Sequence, residues 1–390
     1  MSLTRTLFDD DHKLFRESAA AFVDREILPR REEMREARRI PKDLWKTAGD
    51  GGFLGVAVPE EYGGSDVDFR YNTIFNEELS RAGMAFSSSF TIHADVCAPY
   101  LTRLTNDEQK ARWLPKFCSG EMVTAIGMTE PEAGSDLQGL KTTARRDPAH
   151  PGEWLINGSK TFITNGAHAD LVIVAARTAT DPKGRGISLF AVEEGMDGFS
   201  RGRKLDKVGQ HEADTAELFF ENVRLTDDQL IGEVDRGFHH MMEHLAQERL
   251  GSAISNTAHA QHAFAITLEY IKSRKAFGRP IGTFQNSRFL AADLRTRLDV
   301  TQAFVDQCVV AHAAHELSAV DAAKAKWWSA QVQNDVIDAC VQLHGGYGYM
   351  EEYEVAHAWM DARVTKIWAG SNEIMKEIIG RDLGLGEVRA

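Results

Sequence analysis

At 390 residues the chain is too long for one ordinary core and calls for two or three domains. Its 43% hydrophobic and 26% charged residues are those of a globular protein, and its net charge of -13 excludes a nucleic-acid surface built on basic patches. With that balance, an anionic substrate must meet a local positive site instead of a positive protein.

In chain order, Met1 to Asp11 turns acidic, with neither an apolar signal core nor an Arg-rich transit pattern, which predicts a cytoplasmic protein. Residues 1–122 read as a helical domain. Leu14, Phe15, Phe22 and Val23 recur at helical spacing between Asp10 and Arg35; Pro41 opens a short helix through Trp45; Tyr71–Arg81 and Asn106–Phe117 continue the pattern, the last capped by Thr105 or Asn106. Over 123–234 the period changes to two, predicting a small β-barrel or sandwich. Asn157-Gly158 between strand-like runs predicts a hairpin, followed by strands at Leu171–Ala175, Ile187–Val192 and Ala216–Val223. Over 235–390 helices return: Phe238, Met241, Met242, Leu245 and Ile254 form an apolar stripe, and Phe284–Leu317 and Val320–Leu343 predict an antiparallel four-helix bundle. The fold class is α+β in three parts, with no apolar run long enough to span a bilayer.

The four cysteines, Cys97, Cys118, Cys308 and Cys340, form no C-x-x-C pair, which fits a reducing compartment without a disulfide framework. His240 with His244, and His259 with His262, share helix faces, but no H-E-x-x-H occurs. Partly exposed helix histidines and no metal are expected. Neither a G-x-G-x-x-G fingerprint, a phosphate loop nor a G-x-S-x-G elbow is present; Gly345-Gly346-Tyr347-Gly348 matches none of them.

Two segments carry more. Met128-Thr-Glu-Pro-Glu-Ala-Gly-Ser-Asp136 is turn-rich and offers backbone N–H groups and hydroxyls on one strip. In Phe162-Ile-Thr-Asn-Gly166 alternation puts the Phe162 ring and the Thr164 hydroxyl on one strand face, as a planar cofactor requires. With Arg274–Gly282 and Gln285, Gln342–Gly346 and Ile367–Glu373, these segments resemble the acyl-CoA dehydrogenase family along nearly the whole chain. Leu245–Leu250 and Gly370–Lys376 look most like its long-chain branch.

The resemblance implies bound FAD. Ile126, Met128, Thr129, Gly134 and Ser135 would line it, Phe162 would stack on the ring with Ile163 beside it, and Thr164 would donate near the flavin N5. Phe277 would also contact FAD, Arg274, Gln285, Gln342, Gly345 and Gly346 would bind the FAD of a neighbouring subunit, and Ser371, Asn372 and Glu373 would close over the cofactor. It further implies a homotetramer built as a dimer of dimers, an acyl-CoA substrate touching Ser135, Arg249, Ala369 and Gly370, and electrons passed to an electron-transfer flavoprotein during fatty-acid β-oxidation.

Many relatives carry the catalytic glutamate where this chain has Ala369. The long-chain and isovaleryl branches place it on a C-terminal helix, at a position that here is Glu248. A carboxyl in an apolar stripe has its pKa raised toward a useful range. The backbone N–H of Ala369 would still serve the oxyanion, since main chain does not depend on the side chain. Branched or steroid-like acyl groups, a flavin oxidase or monooxygenase, and an FAD-stabilised scaffold remain open at this stage. His239 and the stretch His93–Pro99 are candidate pocket walls.

Overall fold

The computed structural model describes residues 4–179 and 186–386. The N-terminal region packs helices α1 (Asp10–Phe22), α2 (Arg31–Ala37), α3 (Lys42–Asp50), α4 (Phe69–Ala82), α5 (Met84–Thr91), α6 (Ala98–Arg103) and α7 (Asp107–Cys118). Of the two cap candidates it is Asn106 that closes a reciprocal box with Gln109 at the start of α7. Phe22, Trp45, Phe53, Phe75, Phe86 and Phe90 form the core between the helices, with the Phe53 and Phe75 rings stacked 5.0 Å apart. Between α5 and α6 the chain widens into a π-helical segment, Ile92–Cys97. Such bulges re-aim side chains and recur at functional sites.

The middle region is one twisted sheet of β1 (Thr124–Gly127), β2 (Thr143–Arg146), β3 (Glu153–Thr164), β4 (Leu171–Arg177), β5 (Ile187–Glu193), β6 (Phe199–Lys204), β7 (Thr215–Thr226) and β8 (Leu230–Ile231). The strand order is β6-β7-β3-β2-β4-β5-β8, with β1 pairing parallel to β4. The expected Asn157-Gly158 hairpin is not formed. Both residues lie inside β3, where the register against β7 shifts between Ile156 and Gly158. Gly158 (φ +145°) sits so close to β2 that a Cβ would stand 2.7 Å from the Thr142 Cα, so glycine marks a bulge and a close approach, not a turn.

A second register shift falls between Lys160 and Ile163, and here Phe162 adopts φ +60°. The Lys160 side chain just before it is fully buried, and its Nζ donates to Glu130 Oε1 at 2.7 Å and to the Met128 carbonyl at 3.2 Å. Glu130 also accepts from the Lys141 and Thr142 amides. This buried pair ties the 128–142 turns to the strand that bears Phe162.

The C-terminal region is built on α8 (Gly237–Ser273), a helix of 37 residues, about 55 Å long. The small hairpin β9 (Lys275–Ala276) and β10 (Arg279–Pro280) follows, then α9 (Gln285–Ala313), α10 (Ala319–His344), α11 (Glu354–Ala362) and α12 (Asn372–Asp382). On α8 the expected stripe holds at Met241 and Ile254, but Met242 is 37% exposed and Leu245 only partly covered. The histidines depart further from expectation: His240, His244 and His259 are buried. His244 packs 4.6 Å from the Tyr100 ring, and His259 Nδ1 is 3.0 Å from Gln333 Nε2. Among the described residues they form no metal-binding group. The one group with suitable geometry, Asp147, His150 and Glu153, already holds the Arg224 guanidinium. All four cysteines are free and buried, and no helix among the described residues is long and apolar enough to cross a membrane.

Glu130→Ala strands the Lys160 ammonium in the core. The expected loss is about 3 kcal/mol or more of folding stability, read as a lowered urea midpoint, whereas the exposed pair partner Glu132→Ala should change it little.

Candidate active site

A cavity of about 280 Å³ lies where the three regions meet. One wall is α5 with the π-helical segment, from Met84 to Val96; the second is α8, presenting Leu245, Glu248, Gly251, Ser252 and Ser255; the third is the sheet edge with Ile126, Met128, Thr129, Gly134, Phe162, Ile163 and Thr164; Trp368, Ala369 and Gly370 close it. Glu248 and Ala369, far apart in sequence, thus face one space.

The Glu248 carboxyl is surrounded by protein except toward the cavity. Burial raises its pKa to about 7, opposed by the hydrogen bond from Tyr100, whose hydroxyl donates to Oε1 at 3.3 Å, and by the Arg249 charge. Arg249 is buried and does not line the cavity, and its Nε has no partner. Arg249, expected to touch substrate, sits instead behind the cavity-facing Glu248, because adjacent residues on a helix point about 100° apart.

The closing turn is held from behind by α10. Lys326 Nζ donates to the Gly370 carbonyl at 2.6 Å, Asn334 Nδ2 to the Ala362 carbonyl at 3.0 Å, and the Thr365 hydroxyl donates to Gln333 Oε1 at 2.7 Å. Ala369 and Gly370 are both left-handed, at φ +50° and +83°. Gly370 takes its left-handed conformation without the cost a Cβ would bring, and an added Cβ would meet only the movable Met375 Cε tip, at 2.5 Å, while Ala369 stores strain of the kind found at ligand clamps. Among the described residues nothing in the chain accepts from the Ala369 N–H. Ser371 then caps α12 by accepting from the Ile374 amide at 3.3 Å; Asn372 is buried and Glu373 exposed.

Of the other sequence candidates, Ser135 is exposed beside the cavity-lining Gly134. Arg274, Gln342, Gly345 and Gly346 meet in a separate open cleft of about 550 Å³. Phe277 stands 95% exposed on the tip of the β9–β10 hairpin, where it and Gly278 have φ +51° and +81°, and Gln285 is exposed at the start of α9. Along α8 the distance from Glu248 to Arg274 is about 39 Å, so the two groups cannot serve one bound cofactor in the same chain. His239 lies outside the cavity, paired with Glu243 at 3.1 Å, and His93 faces Phe117 and Thr124 instead. Sequence reasoning missed Tyr100 and Lys326, while Asp95 and Trp368 fell within the stretches His93–Pro99 and Ile367–Glu373 without being singled out. The available signal was Lys326 among Ala322, Ala323, Ala325, Trp327 and Trp328, since a solvated helix face carries more charge.

The fold and this cavity are those of a flavin-dependent acyl-thioester dehydrogenase. Family models described as the N-terminal, middle and C-terminal domains of acyl-CoA dehydrogenase match residues 9–121, 125–223 and 235–384, and the chain belongs to the acyl-CoA dehydrogenase family. It is 43% identical to the mitochondrial long-chain specific acyl-CoA dehydrogenase of Sus scrofa, over 97% of this chain and 88% of that one. It is 37% identical to the mitochondrial isovaleryl-CoA dehydrogenase of Solanum tuberosum, over 97% and 92%. Among solved structures it matches an acyl-CoA dehydrogenase from Geobacillus kaustophilus with a TM-score of 0.94, at 43% identity and covering 97% of this chain and 100% of that one. A glutaryl-CoA dehydrogenase from Mycobacterium smegmatis in complex with FADH2 matches with a TM-score of 0.92, at 26% identity over 99% and 98%.

Acyl-CoA dehydrogenases are FAD-dependent oxidoreductases, and the residues present fit that cofactor. Phe162 offers a ring 68% exposed on the cavity wall, held by a strained backbone, with the Thr164 hydroxyl beside it and open space around Gly134.

Burial lowers the Lys326 pKa to about 7, with the Arg249 charge adding to the effect. Lys326→Met removes this costly ammonium but frees the Gly370 carbonyl. The expected result is a melting temperature within a few degrees of the parent and turnover lower by about 10-fold, measured by thermal denaturation and flavin-reduction kinetics.

Proposed function

We propose that the chain catalyses α,β-dehydrogenation of an acyl-CoA thioester with Glu248 as the base. The observation that supports this best is the pairing across one cavity of a half-buried carboxyl with a free backbone N–H in a strained turn, Ala369. Glu248 takes the proton from the substrate α-carbon. Its raised pKa matches the operating pH and keeps the proton transfer effective. The Ala369 N–H receives the charge that develops on the thioester oxygen, so the reaction needs no side chain at that position. When bound, FAD supplies the two-electron acceptor for the hydrogen leaving the β-carbon. Phe162 and Thr164, with Ile126, Met128, Thr129, Ile163 and the Gly134-Ser135 turn, would hold it, and Ser371, Asn372 and Glu373 would cover it.

Arg274, Phe277, Gln285, Gln342, Gly345 and Gly346 would hold the cofactor of a neighbouring subunit. The separation of their cleft from Glu248 supports a site shared between subunits; by the family resemblance we read the assembly as a homotetramer and the electron acceptor as an electron-transfer flavoprotein. The long-chain assignment rests on the 43% identity to the porcine enzyme, and the 37% identity to isovaleryl-CoA dehydrogenase supports branched acyl groups as the second reading.

Glu248→Gln should retain FAD and assembly and lose turnover by about 100-fold or more, followed by anaerobic flavin bleaching with acyl-CoAs from short to long and branched. Retained bleaching would overturn Glu248 as the base, and bleaching by branched groups alone would overturn the long-chain assignment. In the parent, kcat/KM should rise with pH through about 7. The base acts ionised and its pKa is raised, so activity is lost on the acid side, and Glu248→Gln should abolish that limb.

A further inference from the structure

The α8 wall of the cavity is more polar than a hydrocarbon chain requires. Ser87 and Ser255 are internally satisfied, each donating to Asn76 Oδ1 at 2.8 Å. Asp95 and Ser252 are different. Asp95, on the π-helical segment, is 3% exposed; its Oδ1 accepts from Asn72 Nδ2, while its Oδ2 has no partner. Gln247 Nε2 donates to the Asp95 carbonyl at 2.7 Å and fixes its backbone against α8. The Ser252 hydroxyl is likewise buried without a partner. Both residues line the cavity, and Asp95 Oδ2 faces α8 beside Ser252, since a Cβ added at Gly251 would stand 3.8 Å from it, at ordinary contact distance.

Buried orphan polar atoms are rare, and an apolar acyl chain packed against them would leave both unsatisfied. We infer that the cavity contains a subsite for a hydroxyl group carried on the acyl chain, which donates to the Asp95 carboxyl and accepts from the Ser252 hydroxyl. This rests on the acyl-CoA reading above and specifies its substrate class. A hydroxyl satisfies both orphans at once. An ammonium would satisfy only the carboxylate, and it would carry the desolvation cost of a second buried charge. Gly251 and Ser252 lie one helical turn, about 5 Å, beyond Glu248, so the hydroxyl belongs several carbons past the reacting α- and β-carbons. Burial pushes the Asp95 pKa up to about 7, and in its neutral form the carboxyl can also donate to the same hydroxyl.

The test uses FAD-loaded protein and unreactive thioether analogues of dodecanoyl-CoA, plain or hydroxylated at carbons five to eight, with affinity measured by calorimetry. A site built to bond a hydroxyl discriminates strongly against the analogue lacking it. The expected result is at least one hydroxylated analogue bound about 10-fold or more tighter than the plain one, with that preference lost or reversed in Asp95→Leu. Should Asp95→Leu fail to fold, Ser252→Ala and the isosteric Asp95→Asn provide the reading, each expected to reduce the ratio at least about threefold. Equal or tighter binding of the plain analogue, with a ratio that no variant changes, would overturn the subsite and leave the Asp95 carboxyl bound to ordered water only. A hydroxyl preference in the thioethers, without flavin bleaching by the matched thioesters, would overturn the dehydrogenase reading and leave the subsite standing. No binding of any analogue would overturn both.

Discussion

The active cavity depends on a helix that contributes nothing to its lining. Through Lys326, Gln333 and Asn334, α10 holds the 362–370 segment by four hydrogen bonds, and Gln333 also reaches His259 on α8. These groups sit on one face of α10, buried among apolar residues where hydrogen bonds are strengthened by the low dielectric and an unmade bond is costly. Glu248 and the Ala369 amide come from elements far apart in sequence. This polar seam on α10 fixes the distance between them.

The proposed base is poised by opposed effects. Burial pushes Glu248 up, while the Tyr100 hydroxyl and the Arg249 charge hold it down. Arg249 and Lys326 repel one another behind the base, and burial depresses both. The buried Arg249 guanidinium next to the Glu248 carboxyl gives the site a local positive charge, even though the whole protein is acidic.

The three-part organisation and most helices were legible in the sequence, because hydrophobic period is a local signal: Asn106 capping α7 and the strands at Leu171 and Ile187 are examples. What failed depended on partners. Asn157-Gly158 satisfies the chemistry of a turn and of a bulge equally, and only the pairing of β3 with β7 and the approach of Thr142 decide between them. The buried histidines of α8 read as half-exposed because a helix wrapped by neighbours on several sides has no solvent face to reveal. Glu248 and the cavity-facing residues from Ile126 to Thr164 could be named in advance through the family resemblance. Tyr100 and Lys326 could not, since a single polar residue on a helix looks solvated until its neighbours are placed.

The strained turn at Ala369 has an evolutionary consequence. With the proton taken by a helix-borne carboxylate and the oxyanion bonded by main chain, the side chain at 369 is released from chemistry under the roles proposed here. Selection there can act on backbone conformation and on the shape of the cavity alone. That gives this scaffold a position at the centre of its reaction site where substitution can be explored without first sacrificing catalysis.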